Sequence, residues 1–179
     1  MLFADISGFT RLVEAVEPEV VYQLVHPFLD ELAGIVKSHG GEVQQVLGDG
    51  FMAVFGLRRS GGDEATQAVT AALALVAAGH THPSRLPVHI GIEYGEVLVT
   101  PPWQVAGFGV WGRPVNLTKR LCDLAGPNQI LLGPGAFTQT RHGVALVTMM
   151  PTQLKGVRGP VVAHRVVTGS SLEPLAQAT

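Results

Sequence analysis

The chain has few charged residues and almost no cysteine. Only 15% of its 179 residues are Asp, Glu, Lys or Arg, and the formal net charge is −2. A domain that binds nucleic acid usually carries a cluster of basic residues, so this balance argues against a nucleic-acid partner. Cys122 is the single cysteine, which excludes a disulfide within the chain and fits a reducing, cytoplasmic location.

Long apolar runs are also absent. The most apolar stretch, AVTAALALVAAG over residues 68–79, is too short and too rich in alanine to span a bilayer. No segment resembles a signal peptide, and we expect no membrane contact from this segment. The chain opens directly on an apolar strand pattern, MLFADISGFT, an abrupt start that suggests an excised or minimal domain.

The order of the apolar patterns predicts an α+β fold. Strand patterns cover 2–5, 43–47, 51–55 and 86–100, and helix patterns cover 18–39, 63–78 and 114–124. The order β-α-β-β-α-β is that of the ferredoxin-like split βαβ sandwich, here with short strands appended between residues 129 and 167. We expect one domain over 1–167, followed by a small, polar and disordered tail over 168–179.

Two aspartates follow apolar strands that this fold places side by side. Asp5 ends the first strand, and Asp49 lies in a Gly-Asp-Gly turn at the tip of the hairpin. Converging carboxylates repel each other unless a cation lies between them, and a set of oxygen ligands favours Mg²⁺ or Mn²⁺. Two turn aspartates with unrelated structural roles would give the same spacing, so the spacing alone leaves both interpretations open.

The segment ISGFT after Asp5 predicts an anion site. Its backbone N–H groups would lie at the N-terminus of a helix, where phosphates bind readily. The candidate residues are Ile6, Gly8, Phe9 and Thr10. Metal-binding carboxylates beside such a site point to chemistry on a nucleoside triphosphate.

A third feature is the pair Asn116 and Arg120. Their i, i+4 spacing places both on one face of the predicted helix. A neutral hydrogen-bonding group and a fixed cation could orient a ribose and neutralise charge on a phosphate. Taken alone, the pair is better explained as part of an ordinary solvated helix surface.

Five segments, in this order, resemble the catalytic domain of class III nucleotide cyclases over about residues 2–167: FADISGFT, LGDGFMAVFG, HIGIEYGEV, WGRPVNLTKRL and LKGVRGPV. The resemblance implies a head-to-tail homodimer with two active sites at its interface. It implies that Asp5 and Asp49 of one protomer bind two divalent metal ions, Mg²⁺ or Mn²⁺. It also implies that Asn116 and Arg120 of the other protomer orient the ribose and stabilise the transition state. The implied reaction is attack of the ribose 3′-hydroxyl of ATP on the α-phosphate, which gives 3′,5′-cyclic AMP and pyrophosphate.

The base-reading positions depart from the family pattern. Adenylyl members have Lys where this chain has Gln45 and Asp where it has Gly109, whereas guanylyl members use Glu with a small residue. Because a glutamine amide can donate or accept and Gly109 has no side chain, we expect weak selectivity between ATP and GTP. Family frequency favours ATP, and a guanylate cyclase is the alternative. Gln45 could also be a polar strand residue that faces solvent.

Other polar residues receive weaker assignments. Lys155 or Arg158 in LKGVRG could bind the triphosphate, as a lysine does in the family. His89, His26, Trp103 and Cys122 are expected to be core or surface residues without a chemical role. The rival function is a catalytically feeble nucleotide-sensing or dimerisation module. The altered base-reading pair favours this module, and the complete set of metal and transition-state residues opposes it.

Overall fold

The computed structural model describes residues 1–57, 61–100, 109–140 and 143–168. Trp103 and nearly all of the expected tail lie outside these ranges. Within them, no helix combines the length and the apolar character that crossing a bilayer requires.

The helices and strands follow the predicted order. They are β1 (Leu2–Ile6), α1 (Phe9–Ala15), α2 (Pro18–Ser38), β2 (Gly41–Leu47), β3 (Gly50–Phe55), α3 (Glu64–Thr81), β4 (Val88–Ile92), β5 (Leu98–Thr100), β6 (Gly109–Trp111), α4 (Arg113–Leu124), β7 (Ile130–Leu132), α5 (Pro134–Gln139), β8 (Leu146–Thr148), β9 (Thr152–Gln153), β10 (Pro160–Val161) and β11 (His164–Val166).

Seven strands form the main sheet, in the order β2-β3-β1-β4-β7-β11-β8. The pairs β2–β3, β3–β1 and β1–β4 are all antiparallel, which is the split βαβ arrangement. Strand β7 is parallel to β4, and β11 and β8 extend that edge. The predicted α+β fold with appended C-terminal strands is therefore confirmed.

The side chains of β1 alternate between two packed layers. Leu2, Ala4 and Ile6 belong to the large core that includes α2 and α3. Phe3 packs on the opposite face, in a cluster that contains Cys122 of α4. Since Asp5 follows Phe3 by two residues, its side chain lies on the α4 face.

Helix α4 lies directly on β4 because residue 91 is a glycine. A Cβ atom at Gly91 would overlap backbone atoms of Thr118 and Cys122. This close approach brings the polar side of α4 near the end of β1. The backbone contact of a glycine therefore positions the helix that carries Asn116 and Arg120.

Two parts of the chain differ from the sequence prediction. The strand patterns of 86–100 do form β4 and β5, but β5 pairs with β6 in a separate two-stranded ribbon. Helix α5 was not predicted, since its Pro-Gly start resembles a loop. The buried carboxylate of Glu93 accepts the amide N–H of Ala136 at 2.8 Å, so a tertiary contact supplies an acceptor for an N-terminal amide of α5.

Candidate active site

Asp5 and Asp49 lie next to each other where β1 meets the tip of the β2–β3 hairpin. Asp5 is opposite Gly50 in the sheet, and the amide of Ile6 donates to the carbonyl of Asp49 at 3.0 Å. Burial and the charge of Asp5 hold the pKa of the Asp49 carboxyl above its ordinary value, although a hydrogen bond from its own backbone opposes them. The two carboxylates are thus close enough to influence each other.

Both glycines of the turn have a defined task. Gly48 has a φ of +67°, a backbone conformation that glycine adopts without strain. A Cβ at Gly50 would overlap the carboxylate of Asp5 and the carbonyl of Ala4. Gly48 therefore allows the shape of the turn, and Gly50 leaves room for the Asp5 carboxylate. The shape of the turn does not depend on the side chain of Asp49.

Lys119 of α4 is the direct partner of Asp5, and sequence reasoning missed it. Its Nζ donates to Asp5 Oδ2 at 2.8 Å and to Asp123 Oδ1 at 2.6 Å. Burial lowers the pKa of Lys119, but the hydrogen bonds from this ammonium to Asp123 and Asp5 outweigh burial and hold it above its ordinary value. Only the packing of α4 against β1 reveals this contact, because the residues are 114 positions apart.

His89 also lies at the acid pair, a position that the sequence did not predict. It is opposite Asp5 in the β1–β4 register, with its Nε2 3.9 Å from Asp5 Oδ2. Its Nδ1 and the hydroxyl of Ser7 share a hydrogen bond of 2.9 Å. Burial lowers the pKa of His89 in spite of the opposing charge of Asp5. The imidazole of His89 is therefore partly buried and lines the site beside Asp5.

Asn116 and Arg120 lie one turn apart on α4. Asn116 is exposed, and Arg120 Nη1 donates to Asp123 Oδ2 at 2.9 Å. In the described part of the chain, neither side chain contacts the carboxylates of Asp5 or Asp49. A single protomer thus separates this pair from its own acidic residues.

The donor set at the acid pair fits a divalent cation. Asp5 and Asp49 supply hard carboxylate oxygens, and the Lys119 ammonium already balances part of their charge. Asp5, His89 and Cys122 also place one potential ligand atom each within 4.8 Å of one another. However, the buried Cys122 thiol donates to the carbonyl of His89 at 3.3 Å, and burial raises its pKa. Cys122 therefore has the packing role that was predicted for it.

A β-bulge determines which face of the sheet carries Gln45. The register of β2 against β3 shifts between Val43 and Gln45, so Gln45 is opposite Met52. Without the extra residue it would be opposite Phe51, which faces the large core. The exposed Gln45 is instead on the same face as Asp5, which favours a contact with a ligand bound there.

Gly109 begins β6, opposite Thr100 of β5. The Thr100 hydroxyl donates to the carbonyl of Gly109 at 3.2 Å. A Cβ at Gly109 would lie 2.5 Å from Thr100 Oγ1 and 2.6 Å from Trp111 Nε1. Two polar side-chain ends therefore occupy the space that a side chain at residue 109 would need.

The ISGFT segment offers fewer amides to an anion than the sequence suggests. The amides of Ile6 and Ser7 already donate to the carbonyls of Asp49 and Pro87. Gly8, with φ +79°, precedes α1, which begins at Phe9. The amides at the start of α1, including those of Phe9 and Thr10, have no intrahelical acceptor, so the candidate anion site is reduced to residues 8–10.

Lys155 and Arg158 are both exposed in the turn between β9 and β10. Neither side chain forms a hydrogen bond or an ion pair with another described residue, whereas Lys119 contacts Asp5 directly. The structure therefore does not select one of them as a phosphate ligand in a single protomer. His26 is a surface residue, paired with Asp30 at 3.2 Å.

Comparisons with known proteins find similarity over nearly the whole chain. The family model of the adenylate and guanylate cyclase catalytic domain matches residues 1–168. An adenylate cyclase of Streptomyces griseus is 32% identical over 145 residues, which cover 80% of this chain and 33% of that protein. The chain spans 40% of the length of mycobacterial proteins that are 32% identical to it over 164 residues.

Two crystal structures share the fold over most of their length. The adenylyl cyclase CyaB from P. aeruginosa has a TM-score of 0.84 and 26% identity, over 93% of this chain and 91% of that one. The guanylyl cyclase Cya2 has a TM-score of 0.81 and 29% identity, over 93% and 90%.

Proposed function

This chain belongs to the adenylate and guanylate cyclase catalytic-domain family, and we propose that it converts ATP to 3′,5′-cyclic AMP and pyrophosphate. The active sites are shared across a head-to-tail homodimer. One observation carries the proposal: Asp5 and Asp49 lie at adjoining positions where β1 meets the hairpin tip, whereas the side chains of Asn116 and Arg120 make no direct contact with these acids in the described part of the chain. A second protomer would supply the missing pair.

Asp5 and Asp49 would hold two divalent ions, Mg²⁺ or Mn²⁺. When bound, such ions make the 3′-hydroxyl more acidic and offset the charge of the triphosphate. The chain contributes rigidity, because Asp5 is set in the middle of a sheet and Asp49 is tied to Ile6 by a backbone hydrogen bond. Residues 8–10 offer amides to a phosphate group beside the acids.

Asn116 and Arg120 of the second protomer would act on the ribose and the α-phosphate. The 3′-oxygen forms a bond to the α-phosphorus, the bond from that phosphorus to the bridging oxygen breaks, and pyrophosphate leaves. The hydroxyl proton is released to solvent. The Arg120 guanidinium neutralises charge on the phosphate during transfer, and the Asn116 amide hydrogen-bonds the ribose.

The base selectivity of the site should be weak, with GTP accepted as a second substrate. Gln45 is on the correct face to meet a base, and its amide can satisfy either purine by rotation. Gly109 adds no side chain, and rejection of a wrong base requires a buried polar group that is left unpaired. The relatives include proteins named adenylate cyclase and a guanylyl cyclase, which supports both substrates.

Apolar surface on the β5–β6 ribbon supports the homodimer. Leu98 and Trp111 are opposite each other across the ribbon and are 65% and 64% exposed. Large apolar side chains that are exposed together are typical of surfaces that another protein covers. A second copy of this chain is the proposed occupant.

Substitution of the acids tests the metal role directly. Asp49→Ala and Asp5→Ala should each reduce Mn²⁺-dependent formation of cyclic AMP by about 100-fold or more, because each removes a charged ligand. Asp63→Ala, at the start of α3, is the matched control and should keep full activity. Thermal unfolding of all variants verifies that the fold survives, and near-normal turnover in Asp49→Ala or Asp5→Ala would refute the assignment.

The second candidate is a nucleotide-sensing or dimerisation module with little turnover. Two observations favour this module. The Lys119 ammonium already pairs with Asp5, and Gln45 and Gly109 depart from the base-reading pair of the family. Assays with ATP and with GTP in Mn²⁺ separate the two functions. A cyclase releases pyrophosphate in proportion to cyclic nucleotide, whereas a sensor binds the nucleotide and releases none.

A further inference from the structure

Four charged side chains, one on β1 and three on α4, form a continuous series that we call the ionic chain: Asp5–Lys119–Asp123–Arg120. The Lys119 ammonium bridges the two aspartates at 2.8 and 2.6 Å. Asp123 uses one oxygen for Lys119 and the other for the Arg120 guanidinium, at 2.9 Å. The ionic chain thus connects a proposed metal ligand to a proposed transition-state residue within one protomer.

We propose that Lys119 is an internal counter-ion of Asp5 that a divalent cation must displace, and that its displacement loosens Arg120 through Asp123. This proposal rests on the proposed function, since it assumes that Asp5 binds a metal and that Arg120 serves catalysis. It adds Lys119 and Asp123 as positioning residues, because neither needs to touch the substrate.

Competition at Asp5 follows from charge and geometry. Lys119 Nζ occupies Oδ2 of Asp5, whose side chain is only 13% exposed. A dication bound to this carboxylate would repel an ammonium at hydrogen-bond distance about twice as strongly as a monovalent ion would. The metal must therefore push Lys119 away from Asp5, and Asp123 remains as its partner.

The effect on Arg120 follows from the sharing of Asp123. While Lys119 divides its charge between two carboxylates, Asp123 holds Arg120 firmly. Once Lys119 turns to Asp123 alone, the charge on Asp123 is more completely neutralised and its attraction for Arg120 falls. Because these side chains are about one-third exposed, solvent screening limits the coupling to a factor of about two to five.

The consequence in a head-to-tail dimer is communication between active sites. Asp5 and Arg120 of one protomer would serve different sites, and the ionic chain joins them. Metal loading at the first site would then release the guanidinium that the second site needs. Such linkage is reciprocal, so the release of Arg120 should also favour metal binding.

The first test measures binding of Mn²⁺ alone, without nucleotide, by calorimetry on the whole chain. Lys119→Met should bind Mn²⁺ about tenfold more tightly than the wild type, because the competing cation is gone. Arg113→Met, which removes the same charge at the start of α4, is the matched control and should change the affinity less than about twofold. Unchanged or weaker binding in Lys119→Met would overturn the proposal.

The second test asks whether Arg120 acts through Lys119. Arg120→Gln leaves Asp123 to Lys119 and should tighten Mn²⁺ binding by about two- to fivefold. In the Lys119→Met background, Arg120→Gln should change the Mn²⁺ affinity only by the small amount that the loss of a distant positive charge causes. Equal effects in both backgrounds would show that no ionic chain operates.

Asp123→Asn gives an independent variant with the opposite sign. Loss of this carboxylate leaves Lys119 to Asp5 alone, so Mn²⁺ binding should weaken by about two- to fivefold. Tighter binding would contradict the proposal even if Lys119→Met failed to fold.

Asp5→Asn separates failure of the ionic chain from failure of the proposed function. If Mn²⁺ binding is the same in Asp5→Asn and the wild type, the metal role of Asp5 is wrong and both proposals fall. If binding depends on Asp5 but not on Lys119, only the ionic chain is refuted.

Discussion

Gln45 shows how a single residue can depend on a local irregularity of the backbone. Its side chain reaches the face of Asp5 because β2 contains one extra residue opposite β3. A regular ladder would direct it toward the core that contains Phe51. The proposed contact of Gln45 with the base therefore depends on this bulge as well as on the residue type.

Exchange of the proposed base-reading residues should change substrate preference. Gln45→Lys combined with Gly109→Asp supplies a fixed donor and a fixed acceptor, which match adenine, so the ratio of kcat/KM for ATP over GTP should rise by about tenfold or more. The side chain introduced at residue 109 requires Thr100 and Trp111 to move, because their side-chain ends lie 2.5 and 2.6 Å from the added Cβ.

Gly109→Ala is the control for the crowding at residue 109. It introduces a Cβ without an acceptor and should leave the ATP to GTP ratio near that of the wild type. If the ratio in the double variant also stays unchanged, residues 45 and 109 do not read the base.

Glu93 gives a pH-dependent contribution to stability with a defined sign. Burial raises the pKa of this carboxyl, although the amides of Tyr94, Ala136 and Gly135 lower it. The native state thus holds a proton at a pH where the unfolded chain has lost it, and stability falls as the pH rises from the unfolded pKa to the higher native pKa. Conversely, acidification from neutral pH should stabilise the protein through this group.

Glu93→Gln should remove that dependence. A glutamine keeps an oxygen that can accept the two amide hydrogen bonds that Glu93 Oε1 accepts, but its side chain does not titrate. The free energy of unfolding of the wild type, measured in urea between pH 7 and 5, should increase relative to that of the variant as the pH falls. Glu96→Gln, at an exposed position, should follow the wild type, and parallel curves for Glu93→Gln and the wild type would contradict the assignment.

Among the elements, α4 carries the largest number of proposed site residues. It carries Asn116, Lys119, Arg120 and Asp123, and its buried residues pack on the sheet. Its distance from β4 is set by the absence of a side chain at Gly91. Small shifts of this helix would therefore change the contact between Lys119 and Asp5.

Gly91→Ala should displace α4 and reduce both stability and activity. The added methyl group would meet helix backbone, which cannot rotate away, so we expect a loss of about 2 kcal/mol or more in the free energy of unfolding. The activity of the folded fraction should fall as well, because Lys119 and Arg120 move with the helix. Denaturant unfolding and steady-state kinetics measure the two effects.

Gly34→Ala is the matched substitution on a different helix. Gly34 lies in α2, where a methyl group added at this position would meet open space, and alanine favours helix by up to about 1 kcal/mol. This variant should be equally active and slightly more stable. A Gly91→Ala protein as stable as Gly34→Ala would show that the contact of α4 with β4 is not restrictive.

At the scale of the whole molecule, the proposed division of catalytic residues between two protomers predicts complementation. Asp49→Ala and Arg120→Ala should each be inactive as homodimers. A mixed dimer would contain one site that lacks both groups and one site with all of them, so mixing should restore a large part of the activity of one site.

The measurement is cyclic AMP formation after equal amounts of the two variants are mixed. Asp5→Ala mixed with Asp49→Ala is the control, because both changes affect the same side of the interface and every site stays defective. Absence of recovery in a verified Asp49→Ala/Arg120→Ala heterodimer would exclude shared sites.

The order of the helices and strands of this protein, and its local motifs, can be predicted from the sequence alone. Apolar periodicity specifies the order of strands and helices, since side chains repeat every two residues in a strand and every 3.6 in a helix. The Gly-Asp-Gly turn and the i, i+4 spacing of Asn116 and Arg120 are local features that can be interpreted without coordinates. The split βαβ topology then follows, and with it the proximity of Asp5 and Asp49.

Only the tertiary structure decided the contacts that join distant segments. Lys119 on Asp5, His89 opposite Asp5 and the Glu93 contact with α5 depend on register and helix placement, and no local pattern encodes them. The bulge that turns Gln45 toward the acids is likewise a property of two paired strands. Local geometry depends on residues that are neighbours in the sequence. The charge environment of a site depends on side chains from distant segments that tertiary packing brings within a few ångströms of one another.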